Sequence, residues 1–529
     1  MAPSYEAISY AWGPAEECGD ILCHDRRLRI PWNLEHGLRK FRRLRKKRIL
    51  WADSVCINQD DPTEQGHQVQ NMSKVYERAR RVLVWLGLDE SWNATALFQF
   101  IRASERLLPL PGQSNIDFDH QILAYGERYW LCINRLDRSG WFDRLWVIQE
   151  VGLASVAILH FGSASLEWEV FSSFCWYLTD FLDDNNLRWP FPLSSVILLC
   201  LTNFRNPSKS ILDILDIGTN KLCSDSRDRV YAFLGHRALQ DSLSNPSSEL
   251  YLPVDYEVPP SELYRSVAVR ILQSEGYSSL DLLNFVEHGT ESILDLEASS
   301  WVPRWDYSVS HSYRYSRFAS HGQTTAKVCY DGRRLDVEGF IHDSVVWTSD
   351  MLHGDHFPEE PTEAFDCAYP HPFSQTWNLL RKIGGEQSRS LLEAMCLSLG
   401  YIGMESEDSR FLGGAVAYAD AMRLDVSGLE DLISHEEIGY FRYWMEPYDH
   451  RFFTTSRGWI GVGPEVTRPG HDVCILFGAK PPFIVWQLPS AGEHLYRLCG
   501  PCYVHGIMNG EAIEMLERGE CERTTFHFI

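Results

Sequence analysis

Short apolar stretches alternate with longer amphipathic stretches along the first third of the chain. Apolar runs at 7–11, 49–52, 81–86 and 156–161 predict β-strands. Apolar side chains at helical spacing predict helices at 32–44, 64–80, 92–107, 120–135 and 141–151. Strands that alternate with helices are typical of a mostly parallel sheet covered by helices on both faces. We therefore predict an α/β fold, in which the apolar strand at 49–52 is an interior strand.

The pattern changes twice further along the chain. Residues 163–300 are mainly helical, with helical periodicity at 166–182 and 262–275. Beyond 301, strand-like segments flank Asp331-Gly332, a dipeptide typical of tight hairpin turns. Further strands are predicted at 451–455, 473–477, 483–487 and 496–505, and helices at 374–400 and 412–424. The chain therefore divides into an α/β domain at 1–162, a helical region at 163–300, and a β-rich C-terminal module with a helical insert at 301–529.

Polar side chains follow the predicted strand at 49–52. Asp53 comes directly after this strand, and Asn58 lies before the next helix. Ligands bind at the carboxyl ends of strands in open α/β sheets, so both residues are candidates for ligand contact. A buried network that ties the loop to the helix is the competing interpretation, because Asp and Asn favour turns. Trp12 and Gly13 follow the first strand, where Trp12 is a candidate for stacking on a base or for packing in the core.

Three blocks of sequence, in order, resemble the fungal heterokaryon-incompatibility (HET) domain. They are Tyr5-Glu-Ala-Ile-Ser-Tyr-Ala-Trp-Gly13, Leu50-Trp-Ala-Asp-Ser-Val-Cys-Ile-Asn-Gln-Asp60 and Trp141-Phe-Asp-Arg-Leu-Trp-Val-Ile-Gln-Glu150. The later block Ser226-Arg-Asp-Arg-Val-Tyr-Ala-Phe-Leu-Gly235 is similar to full-length members of the family. The resemblance implies a TIR-like, flavodoxin-like domain in fungal non-self recognition, with programmed cell death as output. Members often carry more residues before the first block. If a sheet strand is missing there, we expect activity to be affected more than fold.

Trp146 and Glu150 are four residues apart, which places them on one face of a helix. This spacing looks like the catalytic helix of TIR domains that cleave NAD. The resemblance implies that the Glu150 carboxylate stabilises the oxocarbenium-like state formed as nicotinamide leaves, a charge problem that glycosidases share. It also implies substrate contacts from Trp12, Gly13, Asp53, Asn58, Arg144 and Trp146, with NAD as a substrate and no cofactor or metal. The alternative is a structural Glu150 that pairs with Arg144.

Two other functions remain open. One is a non-enzymatic module that signals by self-association or by binding an incompatibility partner protein, and the other is a co-opted small-molecule enzyme. The sequence has no G-x-G-x-x-G after the first strand, no P-loop and no G-x-S-x-G, so Rossmann dehydrogenases, P-loop NTPases and α/β serine hydrolases have no support. Cys499-Gly-Pro-Cys502 matches the thioredoxin motif. A strand-like segment follows it where a helix is needed, which predicts structural thiols.

Composition and charge narrow the partners. A net charge of −23 argues against nucleic acid or an anionic membrane as the main partner. The basic run at 39–48 is either a nuclear-localisation or phosphate-binding patch, or the solvated face of a helix whose apolar side includes Leu38, Phe41 and Leu44. No signal peptide opens the chain, and the longest apolar run, at 196–201, is too short to span a bilayer. We therefore expect a cytoplasmic protein whose 14 cysteines are reduced.

Overall fold

The computed structural model describes most of the chain, in two compact units. The described residues are 3–14, 16–89, 94–104, 136, 139–184, 210–239, 243–274, 280–307, 328–352, 371–384, 387–399, 409–444, 449–489 and 494–529. The units are residues 1–260 and 261–529, and each is described by itself. The helix predicted at 120–135 and the apolar run at 196–201 lie outside the described residues. The domain boundaries at 162 and 300 stay predictions.

A mostly parallel sheet organises the first unit. The strands of this unit are β1 (Glu6–Tyr10), β2 (Cys18–Cys23), β3 (Arg26–Pro31), β4 (Leu50–Trp51), β5 (Val82–Trp85), β6 (Ala157–Phe161) and β7 (Ala164–Glu167). Strands β4, β1, β5 and β6 are parallel neighbours in that spatial order, β7 is antiparallel beside β6, and β2 and β3 form a separate hairpin. This order of parallel strands is that of flavodoxin-like sheets. The predicted α/β class is therefore confirmed.

Helices follow the strands of this unit, as the sequence predicted. They are α1 (Trp32–Phe41), α2 (Asp53–Cys56), α3 (Pro62–Arg78), α4 (Ala94–Ser104), α5 (Val147–Gly152), α6 (Trp168–Asp184), α7 (Ile211–Thr219) and α8 (Asp228–Tyr231), with a short 3-10 helix at Arg237–Leu239. Helix α3 begins sharply because the Asp61 side chain accepts hydrogen bonds from the backbone N–H groups of Thr63 and Glu64, and proline occupies the first helical position.

Three predicted boundaries were wrong. The strand predicted at 49–52 shrinks to β4 and lies at the edge of the described sheet, with Ile49 49% exposed. The neighbouring β1 is an interior strand and is buried throughout. Helix α1 ends at Phe41, because the backbone of Arg42 turns to an extended conformation. Leu44, expected on its apolar side, is instead 94% exposed. Helix α5 begins only at Val147, since residues 141–146 form turns and a bridge to Leu222.

The second unit combines helices with a large, mostly antiparallel sheet. Its helices are α9 (Pro260–Ser274), α10 (Thr290–Leu294), α11 (Pro372–Gly384), α12 (Ser388–Leu399), α13 (Ser409–Ala421), α14 (Ile438–Trp444) and α15 (Glu511–Glu517), with 3-10 helices at Asp281–Phe285, Glu430–Leu432 and His435–Glu437. Its strands are β8 (Val328–Asp331), β9 (Arg334–Thr348), β10 (His450–Thr455), β11 (Ile460–Pro464), β12 (Asp472–Leu476), β13 (Phe483–Gln487), β14 (Leu495–Pro501), β15 (Tyr503–Val504) and β16 (Arg523–Phe528). The predicted β-rich C-terminal module is confirmed.

Strand β9 closes part of this sheet into a ring. It pairs with β12 and with β16, and β13 and β14 complete the circuit between those two strands. The far end of β9 continues through β10 to β11 and β15. Closure pairs strand edges that would otherwise be exposed. The predicted hairpin joins β8 to β9, and Gly332 adopts the left-handed φ of +64° that its turn requires.

Cys499 lies on β14 and Cys502 follows it directly, so neither opens a helix. Both are free thiols with no exposed surface, in an apolar cluster that includes Ile484 and Val504. Burial raises the pKa of the Cys499 thiol to about 12 and that of Cys502 well above its usual range. This environment is opposite to the one that activates redox cysteines, which need a stabilised thiolate.

Candidate functional site

A cleft of about 580 Å³ opens at the carboxyl ends of β1 and β4 in the first unit. Its walls are the turn after β1, residues of the segment that follows β4, one side of α3, the loop at 139–146 and parts of 222–228. Five of the residues predicted from sequence line it: Trp12, Gly13, Asp53, Arg144 and Trp146. The first strand and the second sequence block therefore meet at one place, as expected for the carboxyl edge of an open α/β sheet.

Asp53 is fixed at the cleft wall by one side chain of β1, one side chain of the turn after β1, and a neighbouring backbone N–H. It starts the short helix α2, and only Ala52 separates it from β4. Its Oδ1 accepts hydrogen bonds from the Tyr10 hydroxyl at 2.8 Å and from the Ser54 backbone N–H at 2.8 Å. Its Oδ2 accepts from Trp12 Nε1 at 2.9 Å. These bonds orient the carboxylate, and Gly13 allows the chain to turn away at a left-handed φ of +73°.

Arg144 separates the cleft from the buried interior. Its side chain is 18% exposed and lines the cleft, and its guanidinium donates to the backbone carbonyl of Tyr10. On its inner side, Nη2 lies 3.6 Å from Glu150 Oε1. Arg144 thus contacts the first strand and Glu150 at the same time, and it is the only cation in the described lining of the cleft.

Glu150 lies behind Arg144 and does not line the cleft. The residue is only 1% exposed, and its carboxylate accepts hydrogen bonds from the Ser9 and Tyr76 hydroxyls. Trp141 Nε1 donates to the same Ser9 oxygen at 2.7 Å, so the first and third sequence blocks share one buried network. Burial raises the pKa of Glu150, and the positive charge of Arg144 opposes that shift.

Trp146 and Glu150 point to different surroundings despite their helical spacing. Trp146 occupies the N-cap of α5, and its Nε1 donates to Asp228 Oδ2 at 3.0 Å. The Tyr256 hydroxyl donates to the other oxygen of Asp228 at 2.6 Å. Burial raises the pKa of Asp228 to about 6, although both hydrogen bonds favour its charged form.

Asp228 and Tyr256 also line the cleft, and neither was predicted from the sequence. A signal existed for Asp228, since it lies within the block at 226–235 that resembles the family. No pattern marked Tyr256. Asn58 was selected but does not line the cleft: its side-chain oxygen accepts from the backbone of Asp60 at 3.2 Å, and its own N–H donates to Glu64 at 3.3 Å. These bonds fit its alternative interpretation as a turn residue.

Comparison with known proteins matches both ends of the chain. Residues 5–150 match the family described as heterokaryon incompatibility protein (HET), and residues 430–524 match the Het-6 β-barrel domain. The chain is therefore a fungal HET domain protein with a Het-6 barrel near its carboxyl end.

A particular relative is similar over nearly the whole length. It is heterokaryon incompatibility protein 6, OR allele, of Neurospora crassa, which is 23% identical over 98% of this chain and 91% of its own. This relationship supports a role in fungal non-self recognition. No solved structure matches the chain. No helix in the described ranges is long and apolar enough to cross a membrane.

Proposed function

We propose that this protein acts in fungal non-self recognition by cleaving NAD in the cleft, with death of incompatible cells as the output. The observation that supports this proposal is the convergence of Trp12, Asp53, Arg144 and Trp146 on one cavity. Its volume of about 580 Å³ is within the range of small-molecule and cofactor sites. Its position at the carboxyl ends of β1 and β4 is where open α/β sheets bind ligands.

The lining suits the separate parts of NAD. The indole rings of Trp12 and Trp146 offer flat faces for the adenine or nicotinamide ring. The guanidinium of Arg144 suits the pyrophosphate, because its fork of N–H donors matches phosphate oxygens. The Asp53 carboxylate, held by Tyr10 and Trp12, offers an anionic partner for the ribose.

Hydrolysis breaks the bond between the anomeric carbon of the ribose and the nicotinamide nitrogen. Nicotinamide leaves with the bonding electron pair as a neutral base, water adds its oxygen to the anomeric carbon, and a proton is released. Positive charge develops on the ribose in the transition state. A preorganised carboxylate stabilises that charge more than it stabilises the bound substrate, which raises turnover.

The two carboxylates take different roles in this proposal. Asp53 faces the cleft, whereas Glu150 is buried and acts through Arg144, whose charge it balances at 3.6 Å. The spacing of Trp146 and Glu150 predicted that Glu150 contacts substrate directly. The KM and kcat of variants distinguish these roles, because a residue that only holds Arg144 affects binding as well as turnover.

The test is nicotinamide release from NAD by the purified full-length chain, measured over a range of protein concentrations. Asp53→Asn and Glu150→Gln should each lower kcat/KM by about 100-fold or more, the effect of removing one preorganised electrostatic group. Both changes are nearly isosteric and remove charge with little change in volume. Asp60→Asn is the matched control, since Asp60 is exposed in the same loop and does not line the cleft.

A specific observation favours the non-enzymatic alternative, in which the domain signals through contacts. Glu150 is 1% exposed and hydrogen-bonded, as a structural residue would be. If the wild type releases no nicotinamide at any concentration, yet its expression still kills cells, the signalling module replaces the enzyme. If Glu150→Gln unfolds the protein, Glu150 is structural and only Asp53 keeps a catalytic assignment.

A further inference from the structure

The loop after α1 is a concentrated patch of exposed cations. Residues 42–47 read Arg-Arg-Leu-Arg-Lys-Lys, and every one of them is exposed. The neighbouring Arg39 pairs with Glu35, and Arg48 pairs with Glu6. Within the part of the chain that the structure describes, none of the five cations at 42–47 has a carboxylate partner within 4.0 Å. Their charges are therefore directed to solvent.

The β2–β3 hairpin lies beside this loop, because Asp20, Ile21 and Leu22 of β2 line a groove together with it. Arg26, Arg27 and Arg29 on β3 are exposed. A groove of about 520 Å³ lies between β2 and the loop, with Arg42, Arg43 and Lys46 on its rim. Its lining also includes the apolar side chains of Leu38, Phe41 and Leu50 and the acidic side chains of Asp20 and Glu35. We call the hairpin, groove and loop at 20–48 the basic surface.

Two leucines project from the basic surface. Leu44, in the middle of the loop, is 94% exposed, and Leu22 at the rim of the groove is 76% exposed. A leucine flanked on both sides by arginines and lysines gains nothing from this position in a solvated loop. Apolar side chains among cations are the pattern of surfaces that insert into the boundary between lipid headgroups and acyl chains.

The charge close to the contact surface affects attraction to an anionic partner more than the net charge of the whole chain does. Residues 20–48 hold eleven Lys and Arg against three Asp and Glu, a local charge of +8 in a chain of −23. The Debye length at physiological ionic strength is about 8 Å, so distant acidic residues are largely screened from a partner that touches this surface. The net charge of the chain therefore does not exclude an anionic membrane as a partner of residues 20–48.

We propose that the basic surface docks the protein peripherally on an anionic lipid bilayer. The cations at 42–47 contact headgroup phosphates, and Leu44 and Leu22 insert between them. Nucleic acid would satisfy the charges but offers no apolar environment for the leucines. An acidic peptide would occupy the groove, but Leu44 is not among the groove residues.

Vesicle co-sedimentation of the full-length chain tests this proposal. The probes are phosphatidylcholine vesicles and mixed phosphatidylcholine–phosphatidylserine vesicles. The wild type should bind only the mixed vesicles, and less at high salt. Arg43→Gln with Lys46→Gln should weaken binding by about fivefold per charge removed, and Leu44→Ser by about tenfold.

Matched controls separate an effect of the basic surface from the general effect of losing an exposed leucine or exposed charges. Leu296→Ser removes a leucine that is 71% exposed between Asp295 and Glu297, and it should leave binding unchanged. Lys382→Gln with Arg518→Gln removes two exposed charges elsewhere and should also have no effect. Failure of the wild type to bind mixed vesicles would overturn the proposal. So would a Leu44→Ser variant that binds normally, or tighter binding to RNA or polyglutamate that Leu44→Ser does not affect.

Discussion

At the level of single residues, the sequence blocks predicted which side chains line the cleft, but not that Glu150 is buried behind it. Trp12, Asp53, Arg144 and Trp146 were predicted from sequence and meet in the structure. Burial of Glu150 was not predictable, because it depends on hydroxyls of Ser9 and Tyr76 that are distant in sequence. A helical spacing fixes which residues share a helix face, but not which tertiary neighbours cover that face.

The buried cysteines allow a prediction at the same scale. Cys499→Ser with Cys502→Ser should leave nicotinamide release and cell killing unchanged, since raised pKa values keep both thiols protonated. The variant should nevertheless unfold more easily in urea, by about 1–3 kcal/mol for each hydroxyl placed in an apolar cluster. Loss of activity in a folded double variant would restore a redox role.

At the level of elements, local sequence patterns predicted whether a segment is a helix or a strand better than they predicted where it begins and ends. The hairpin at Asp331-Gly332 was predictable because its turn requires a left-handed glycine, and α3 because its apolar face is regular. The predictions of a helix through Leu44 and of an interior strand at 49–52 were wrong, because tertiary packing decides where an apolar run stops being buried. The ring closed by β9 could not be read from sequence, because strand partners far apart along the chain leave no local pattern.

Helix α3 offers a test of how a local cap supports the site, because Gln65, Val69 and Met72 on this helix line the cleft. Asp61→Ala removes the side chain that accepts from Thr63 and Glu64, and should lower the free energy of unfolding by about 1 kcal/mol. Asp61→Asn should cost less, because asparagine also caps helices well. Urea unfolding measures both, and exposed Asp60→Ala is the control. Equal losses for Asp60→Ala and Asp61→Ala would contradict the assigned cap.

At the scale of the whole molecule, the second unit buries several polar side chains. His288 is held by the Ser300 carbonyl at 2.7 Å, and the Arg497 guanidinium donates to the Asp295 carbonyl at 2.9 Å. Unlike His288 and Arg497, His342 on β9 has no hydrogen-bond partner among the described residues at either of its ring nitrogens. Its ring packs 5.5 Å from that of Trp459. The fold therefore holds a histidine in an environment that suits an apolar aromatic ring.

The buried His342 should make the folded protein less stable as the pH falls. Burial lowers the pKa of His342 to about 4, below the usual value of 6.5 that it regains on unfolding. As pH falls through that range, the unfolded chain takes up a proton that the folded chain does not, so stability is lost by about 1.4 kcal/mol per pH unit. His342→Phe removes this loss. Carboxyls whose pKa is raised by burial, such as Glu287, act in the opposite direction but equally in both proteins.

The measurement is urea unfolding of wild type and His342→Phe at about pH 7.5 and about pH 5, where the variant should gain up to about 2 kcal/mol on the wild type between the two conditions. Any packing cost of the larger ring is the same at both pH values and cancels in the difference. His494→Phe is the control, because that histidine is exposed. If the two variants respond to pH alike, or if His342→Phe loses stability in acid as fast as the wild type, His342 is protonated in the folded chain and must gain a partner there.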